Sequence, residues 1–224
     1  MNKDIRKLFA KVATLFSKYN YYFVKSLAFH SKGSSELSIN FDYVRFRAFE
    51  LCIDEILRCE VKGSVAELGV YKGDSASKLN QLLPNKTLYL FDTFEGFDKR
   101  DLTVESEKFA TKEDDFSDTS IDFVKRKMKY PDMCVFVKGY FPESVVDIVD
   151  TFAFVSLDAD LYEPTKNGLE YFYDRLEKNG YIFIHDFNNE LYKGVQTAVL
   201  EFCENRNIGY VPIPDICGSV IITK

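Results

Sequence analysis

From Ser64 onward the chain alternates short, near-continuous apolar runs with segments of helical periodicity, and this alternation constrains the fold more than any other feature. Strands are expected at Ser64 to Val70, Thr87 to Asp92, Met133 to Lys138, Phe152 to Asp158 and Tyr181 to Asp186. Helices are expected around them at Ser75 to Leu83, Ser120 to Met128, Glu143 to Val149, Pro164 to Glu177 and Val195 to Arg206. A strand apolar throughout must be covered on both faces. Helices between such strands supply that cover, so the pattern is that of an α/β fold with a doubly wound, mostly parallel sheet. Two closing strands, Tyr210 to Ile213 and Ser219 to Thr223, flank the turn Pro214-Asp215-Ile216-Cys217-Gly218, and the last is expected to insert antiparallel.

Upstream, Phe41, Val44, Phe49, Cys52, Ile53, Ile56 and Leu57 recur at helical spacing. One α/β domain over residues 41–224 is therefore expected, preceded by an extension over residues 1–40. The extension's first 29 residues carry Lys3, Arg6, Lys7, Lys11, Lys18 and Lys25 against Asp4, a net of +5 that leaves −11 of the chain's −6 to the remainder. Ile5, Leu8, Phe9, Val12, Leu15, Phe16, Tyr19, Phe23 and Leu27 interleave with the charges, which describes a basic amphipathic helix. Lys11 and Lys18 interrupt it too often for a signal peptide or a membrane span. It can dock on an anionic membrane surface, or pack on its own domain or a second copy, and a homo-oligomer is the expected state. A polar linker, His30 to Ser35, follows.

The acidic balance argues against nucleic acid as a partner, since phosphate binding needs clustered Lys and Arg. Five cysteines with no C-x-x-C pair fit neither a disulfide framework nor a zinc site, and the cytoplasm is the expected location. The stretch from Asp98 to Thr119 is dense in charge and is expected as a loop, either a lid over a cleft or a solvated surface segment.

Four strand ends carry the chemistry. Gly69-x-x-x-Gly73 follows the first strand directly, so the backbone there can approach a ligand closely. A dinucleotide fingerprint needs another glycine two residues earlier, where Glu67 stands instead; that weakens a nicotinamide-dependent oxidoreductase and suits a cationic ligand. Asp92 closes the second strand, the place from which a carboxylate accepts hydrogen bonds from ribose. Asp158 and Asp160 share a strand side if the strand runs that far, and Asp186 ends the neighbouring strand, so three carboxylates converge. Such a set suits a hard divalent cation, and His185 admits a transition metal.

The runs Val65 to Gly73, Asp92-Thr93-Phe94-Glu95-Gly96-Phe97, Phe116 to Ser120, Gly139-Tyr140-Phe141 and Leu157-Asp158-Ala159-Asp160-Leu161-Tyr162-Glu163 resemble the macrocin O-methyltransferase family, which includes mycinamicin and novobiocin sugar methyltransferases. The resemblance implies a class I fold with a seven-stranded sheet and S-adenosylmethionine-dependent, magnesium-assisted O-methylation of a sugar or glycoside. Carried over by motif, Glu67, Gly69 and Gly73 hold the methionine part of the cofactor and Asp92 its ribose, with Tyr71, Ser75, Phe94 and Gly139 as further contacts. Asp158 and Asp186 bind metal and Asp160 is the general base. The family's second metal strand usually ends in two adjacent aspartates, where this chain has His185-Asp186. Either His185 or a water replaces the missing ligand, or no metal binds and His185 or Asp160 acts as base unaided. A nucleotide-sugar oxidoreductase and a non-catalytic cofactor-binding protein are the competing classes.

Overall fold

The computed structural model describes residues 11–12, 14–16, 42–109, 116–145 and 147–224. The chain divides into two units, Met1–Ile39 and Asn40–Lys224, and the fold below is that of the second. Of the expected N-terminal amphipathic helix, residues 11–12 and 14–16 are helical; the rest, with the His30 to Ser35 linker and Phe41, lies outside the described residues. Among the described residues no helix is long and apolar enough to cross a membrane.

Helix α1 (Tyr43–Arg58) starts at Asp42, whose Oδ1 accepts the N–H groups of Val44 and Arg45 and so satisfies two of the free donors of a helix start. Its Oδ2 accepts the N–H of Ile216 at 2.6 Å. Phe46, Phe49, Ile53 and Ile56 form its buried stripe.

The strands are β1 (Ser64–Leu68), β2 (Leu88–Asp92), β3 (Cys134–Lys138), β4 (Phe152–Leu157), β5 (Leu176–Ile184), β6 (Val211–Pro212) and β7 (Val220–Thr223). The helices among them are α2 (Asp74–Leu82), α3 (Lys99–Phe109), α4 (Ile121–Lys127), α5 (Tyr162–Arg175) and α6 (Lys193–Arg206). They build one seven-stranded sheet in the order β3-β2-β1-β4-β5-β7-β6. Strands β1 to β5 pair in parallel, and β7 inserts antiparallel between β5 and β6, as the sequence leads one to expect.

Every residue of β1 and β4 is buried, because these strands form the middle of the sheet. A bulge between Phe152 and Phe154 changes the pairing of β4, so these residues, two apart, serve opposite faces. Phe152 meets Phe172 of α5 at 5.1 Å between ring centroids, and Phe154 meets Phe49 of α1 at 5.0 Å. Strand order reverses between β1 and β4, and a sheet of this kind opens a crevice at the carboxyl ends of its strands at that reversal.

Three expectations need correction. The charged stretch expected as a loop contains α3, while residues 110–115 lie outside the described residues. Helix α3 lacks an apolar stripe because carboxylates anchor it: Glu105 is 1% exposed and accepts the Tyr162 N–H at 2.9 Å, at the start of α5. The helix expected from Glu143 to Val149 is a single 3₁₀ turn, Glu143–Val145. Strand β5 starts at Leu176 rather than Tyr181, through an irregular stretch with Asn179 in the left-handed region.

Candidate active site

The carboxyl ends of β1, β2, β4 and β5 open onto one cleft of about 360 Å³, within the usual range for small-molecule sites. The turn after β1 contributes Glu67, Gly69, Tyr71 and Gly73, and α2 contributes Ser75. Asp92 ends β2, Gly139 follows β3, and Asp158, Asp160, His185 and Asp186 stand at the ends of β4 and β5. Of the residues expected to meet the cofactor, Phe94 alone lies outside the lining. Its N–H closes a tight turn onto Asp92 Oδ1 at 2.6 Å, and its buried ring packs toward Phe136 of β3 instead.

The glycines are required for a reason other than ligand approach. Gly69 has φ +85°, and a Cβ there would lie 1.9 Å from the backbone oxygen of Asp158. The end of β4 therefore occupies the space that a side chain would need. Gly73, φ +74°, packs in the same way against the Val124 side chain of α4.

Asp92 shapes this turn as well. Its Oδ2 accepts the N–H groups of Val70 at 2.7 Å and Tyr71 at 2.9 Å, while Oδ1 takes Phe94. Glu67 is 1% exposed, and its Oε2 has no hydrogen-bond partner. Burial, then the nearby Asp158 charge, pushes its carboxyl well above the ordinary range. A buried carboxylate oxygen without a donor is costly unless a ligand supplies one, so Glu67 fits a cationic group such as the ammonium of a methionine moiety.

Oxygens of Asp158, Asp160 and Asp186 lie within 4.8 Å of one another, so the expected convergence is present. Strand alternation does not produce it. Strand β4 ends at Leu157, and Asp160, φ +60°, sits at the centre of a three-residue turn closed by the Leu161 N–H on the Ala159 oxygen at 2.6 Å. Asp186, also at φ +60°, turns the chain out of β5. Left-handed backbone at two non-glycine acids is strain of the kind found at functional sites.

Desolvation in the cleft, then the charges of Asp158 and Asp186, raises Asp160 well above the usual carboxylate range. Burial works against the charge of Asp158 too, but Arg45 and His185 hold it far below that range. Burial likewise disfavours the His185 imidazolium, yet Asp158 and Asp186 raise its pKa to about 10.

The donors around these carboxylates decide how well a metal fits. His185 Nδ1 lies 3.0 Å from Asp158 Oδ1 and 2.7 Å from Asp186 Oδ2. Arg45 Nη2 lies 2.8 Å from Asp158 Oδ2, and Asn189 Nδ2 donates to Asp186 Oδ1 at 2.7 Å. All four oxygens of the two expected ligands are thus engaged, one by a guanidinium. Magnesium demands near-octahedral oxygen ligation, and this set does not fit it.

Arg45, Asn189 and Cys217, whose Sγ lies near His185 and Asp186, were not legible as site residues. A signal for Arg45 exists: it stands one turn from Phe49 on the buried face of α1, where a cation needs a partner. Helix α3 joins the site through Asp101, which lines the cleft and accepts the Tyr140 hydroxyl at 2.8 Å; burial pushes Asp101 up to about 6.

A model of the Macrocin-O-methyltransferase (TylF) family matches residues 41–221. Demethyldecarbamoylnovobiocin O-methyltransferase of Streptomyces niveus is 24% identical over 156 residues, covering 64% of this chain and 60% of that protein. Mycinamicin III 3''-O-methyltransferase of Micromonospora griseorubida is 26% identical over 158 residues, covering 64% and 62%. The matches thus span about three fifths of the length of these curated relatives. Among solved structures, that of the O-methyltransferase NovP is similar at a TM-score of 0.66, with 21% identity over 80% of this chain and 79% of that one. The likeness shows the fold, that of the class I methyltransferases.

Proposed function

The chain belongs to the macrocin O-methyltransferase family, and from that premise we propose that it transfers a methyl group from S-adenosylmethionine to a hydroxyl of a sugar or glycoside. One observation carries the reading: a buried carboxylate oxygen without a donor, on Glu67, and a desolvated carboxyl, on Asp160, face the same cleft. The first suits a cationic cofactor and the second a proton transfer.

Glu67 holds the ammonium of the cofactor, and the turn from Gly69 to Gly73, with Tyr71, Ser75 and Gly139, borders it. Asp92 accepts a ribose hydroxyl on Oδ1, which takes one backbone N–H where Oδ2 takes two. S-adenosylmethionine supplies an electrophilic methyl on a sulfonium. Asp160 removes the acceptor's hydroxyl proton, since burial and the charges of Asp158 and Asp186 raise its proton affinity above that of an ordinary carboxylate. His185 orients and stabilises rather than acting as base, because its Nδ1 is committed to Asp158 and Asp186. The acceptor oxygen gains the methyl, the breaking bond leaves its electron pair on sulfur, and the proton resides on Asp160.

Both curated relatives are named as O-methyltransferases, one of demethyldecarbamoylnovobiocin and one of mycinamicin III, which supports a glycosidic acceptor. The five cysteines are unpaired, which supports a cytoplasmic location. The test is calorimetric titration with S-adenosylmethionine, followed by transfer of labelled methyl to a panel of nucleotide sugars and glycosides. Failure to bind the cofactor would overturn the reading.

A further inference from the structure

We propose that this chain carries built-in cationic and hydrogen-bonding groups in place of a divalent metal: His185 bridges Asp158 and Asp186, Arg45 closes the remaining oxygen of Asp158, and methyl transfer proceeds without a metal ion. The mechanistic half rests on the methyltransferase reading above; the ion-binding half stands on the geometry alone.

A cation shared by Asp158 and Asp186 would need an oxygen from each. The nearest pair, Asp158 Oδ1 and Asp186 Oδ2, already meets at one atom, His185 Nδ1. The two outer oxygens are closed by Arg45 and Asn189. A ring nitrogen that donates into both carboxylates fills the space between them and removes one carboxylate from the donor set that the family resemblance implies. Arg45 adds a charge that does not titrate at working pH and that repels a dication.

Arg45 is a fixture rather than a passing surface contact. Its side chain is 8% exposed, its guanidinium lies 5.5 Å from the centroid of the Phe49 ring, and its backbone N–H is capped by Asp42. Its Nε is buried with no partner, so Asp158 is where its charge is compensated. Removing one member of such a buried pair leaves the other uncompensated, and an entering metal ion would have to do this twice, at Arg45 and at His185.

The proton balance needs no metal. The acceptor hydroxyl gives its proton to Asp160, its oxygen bonds the methyl, and the sulfonium becomes a neutral thioether. Charge at the reacting oxygen is stabilised by the His185 ring, held in place through Nδ1.

The experiment uses the full chain, stripped with EDTA and dialysed, with Mn2+ as probe and the free-ion paramagnetic resonance signal as readout. The expected result is an undiminished free Mn2+ signal at equimolar ion, and methyl transfer that changes less than twofold between EDTA and added magnesium. One Mn2+ bound per chain at submillimolar concentration would overturn the proposal, as would a tenfold loss of rate in EDTA restored by magnesium. The double variant Arg45→Gln/His185→Asp is expected to gain Mn2+ binding. If it keeps the wild-type circular dichroism and binds none, these two side chains are not what excludes the ion. Absence of cofactor binding would instead strike the methyltransferase reading, and the Mn2+ result does not depend on it.

Discussion

Arg45 and Asp158 lie 2.8 Å apart across 113 residues of sequence, and their ion pair joins the first turn of α1 to the end of β4. The acid site is therefore not built from strand ends alone. A helix outside the strand-and-helix alternation contributes the group that keeps Asp158 ionised, while Asp160, two residues on, is driven the other way. Two neighbouring carboxyls thus take different roles from their different partners.

Asp160→Asn removes the proton acceptor and keeps the shape. General-base catalysis contributes roughly 10²- to 10⁴-fold, and turnover is expected to fall by that factor while cofactor affinity stays within about threefold. Single-turnover transfer and calorimetry on the same sample check both halves. A near-normal rate would move the base elsewhere.

Glu67 links cofactor binding to protons. Burial and the Asp158 charge raise its pKa in the free protein and so favour the neutral form, whereas an incoming ammonium favours the ionised form. Binding should release protons, and affinity should rise with pH up to the raised pKa. Calorimetry in buffers of different ionisation heat measures the release. Glu67→Gln should abolish it and weaken binding about 10- to 100-fold, corresponding to the ~1.5–3 kcal/mol of a hydrogen bond to a charged group.

His185 sets a stability profile. Its pKa rises from 6.5 to about 10 on folding, so its stabilising contribution is full below pH 6.5 and fades as pH climbs through 10. The urea midpoint of His185→Asn should fall furthest below wild type at pH 6 and approach it near pH 10.5. A gap independent of pH would show that the ring is held neutral.

Gly69→Ala tests the close approach of β1 and β4. The added Cβ would meet the Asp158 oxygen at 1.9 Å, at a φ of +85° that other residues rarely adopt. Left-handed backbone and overpacking together should cost ~2–5 kcal/mol, read as a lower denaturation midpoint. If stability were unchanged, the two strand ends would have to be free to separate.

The sheet and most of the cleft were legible because each signal is local. The apolar runs that become β1, β2, β4 and β5 lead into Gly69, Asp92, Asp158 and His185-Asp186, and the reversal of strand order brings those ends together. What was not legible depends on long-range partners. Helix α3 has no apolar stripe to read, since Asp101 and Glu105 fix it through Tyr140 and the Tyr162 backbone. Asp158 and Asp160 converge by a turn centred on Asp160, not by the period of a strand. Phe94 was placed by motif, but the Asp92 turn sends its ring toward Phe136.

Asp42 caps α1 with one oxygen and grips the loop carrying Cys217 with the other, so the segments that enter and leave the domain meet at a single side chain. Chimeras that exchange the closing hairpin between relatives would separate this pair unless the crossover also brings the matching first helix. The two ends of the domain are therefore a single module for recombination, and libraries that shuffle them together should retain activity far more often than libraries that shuffle them apart.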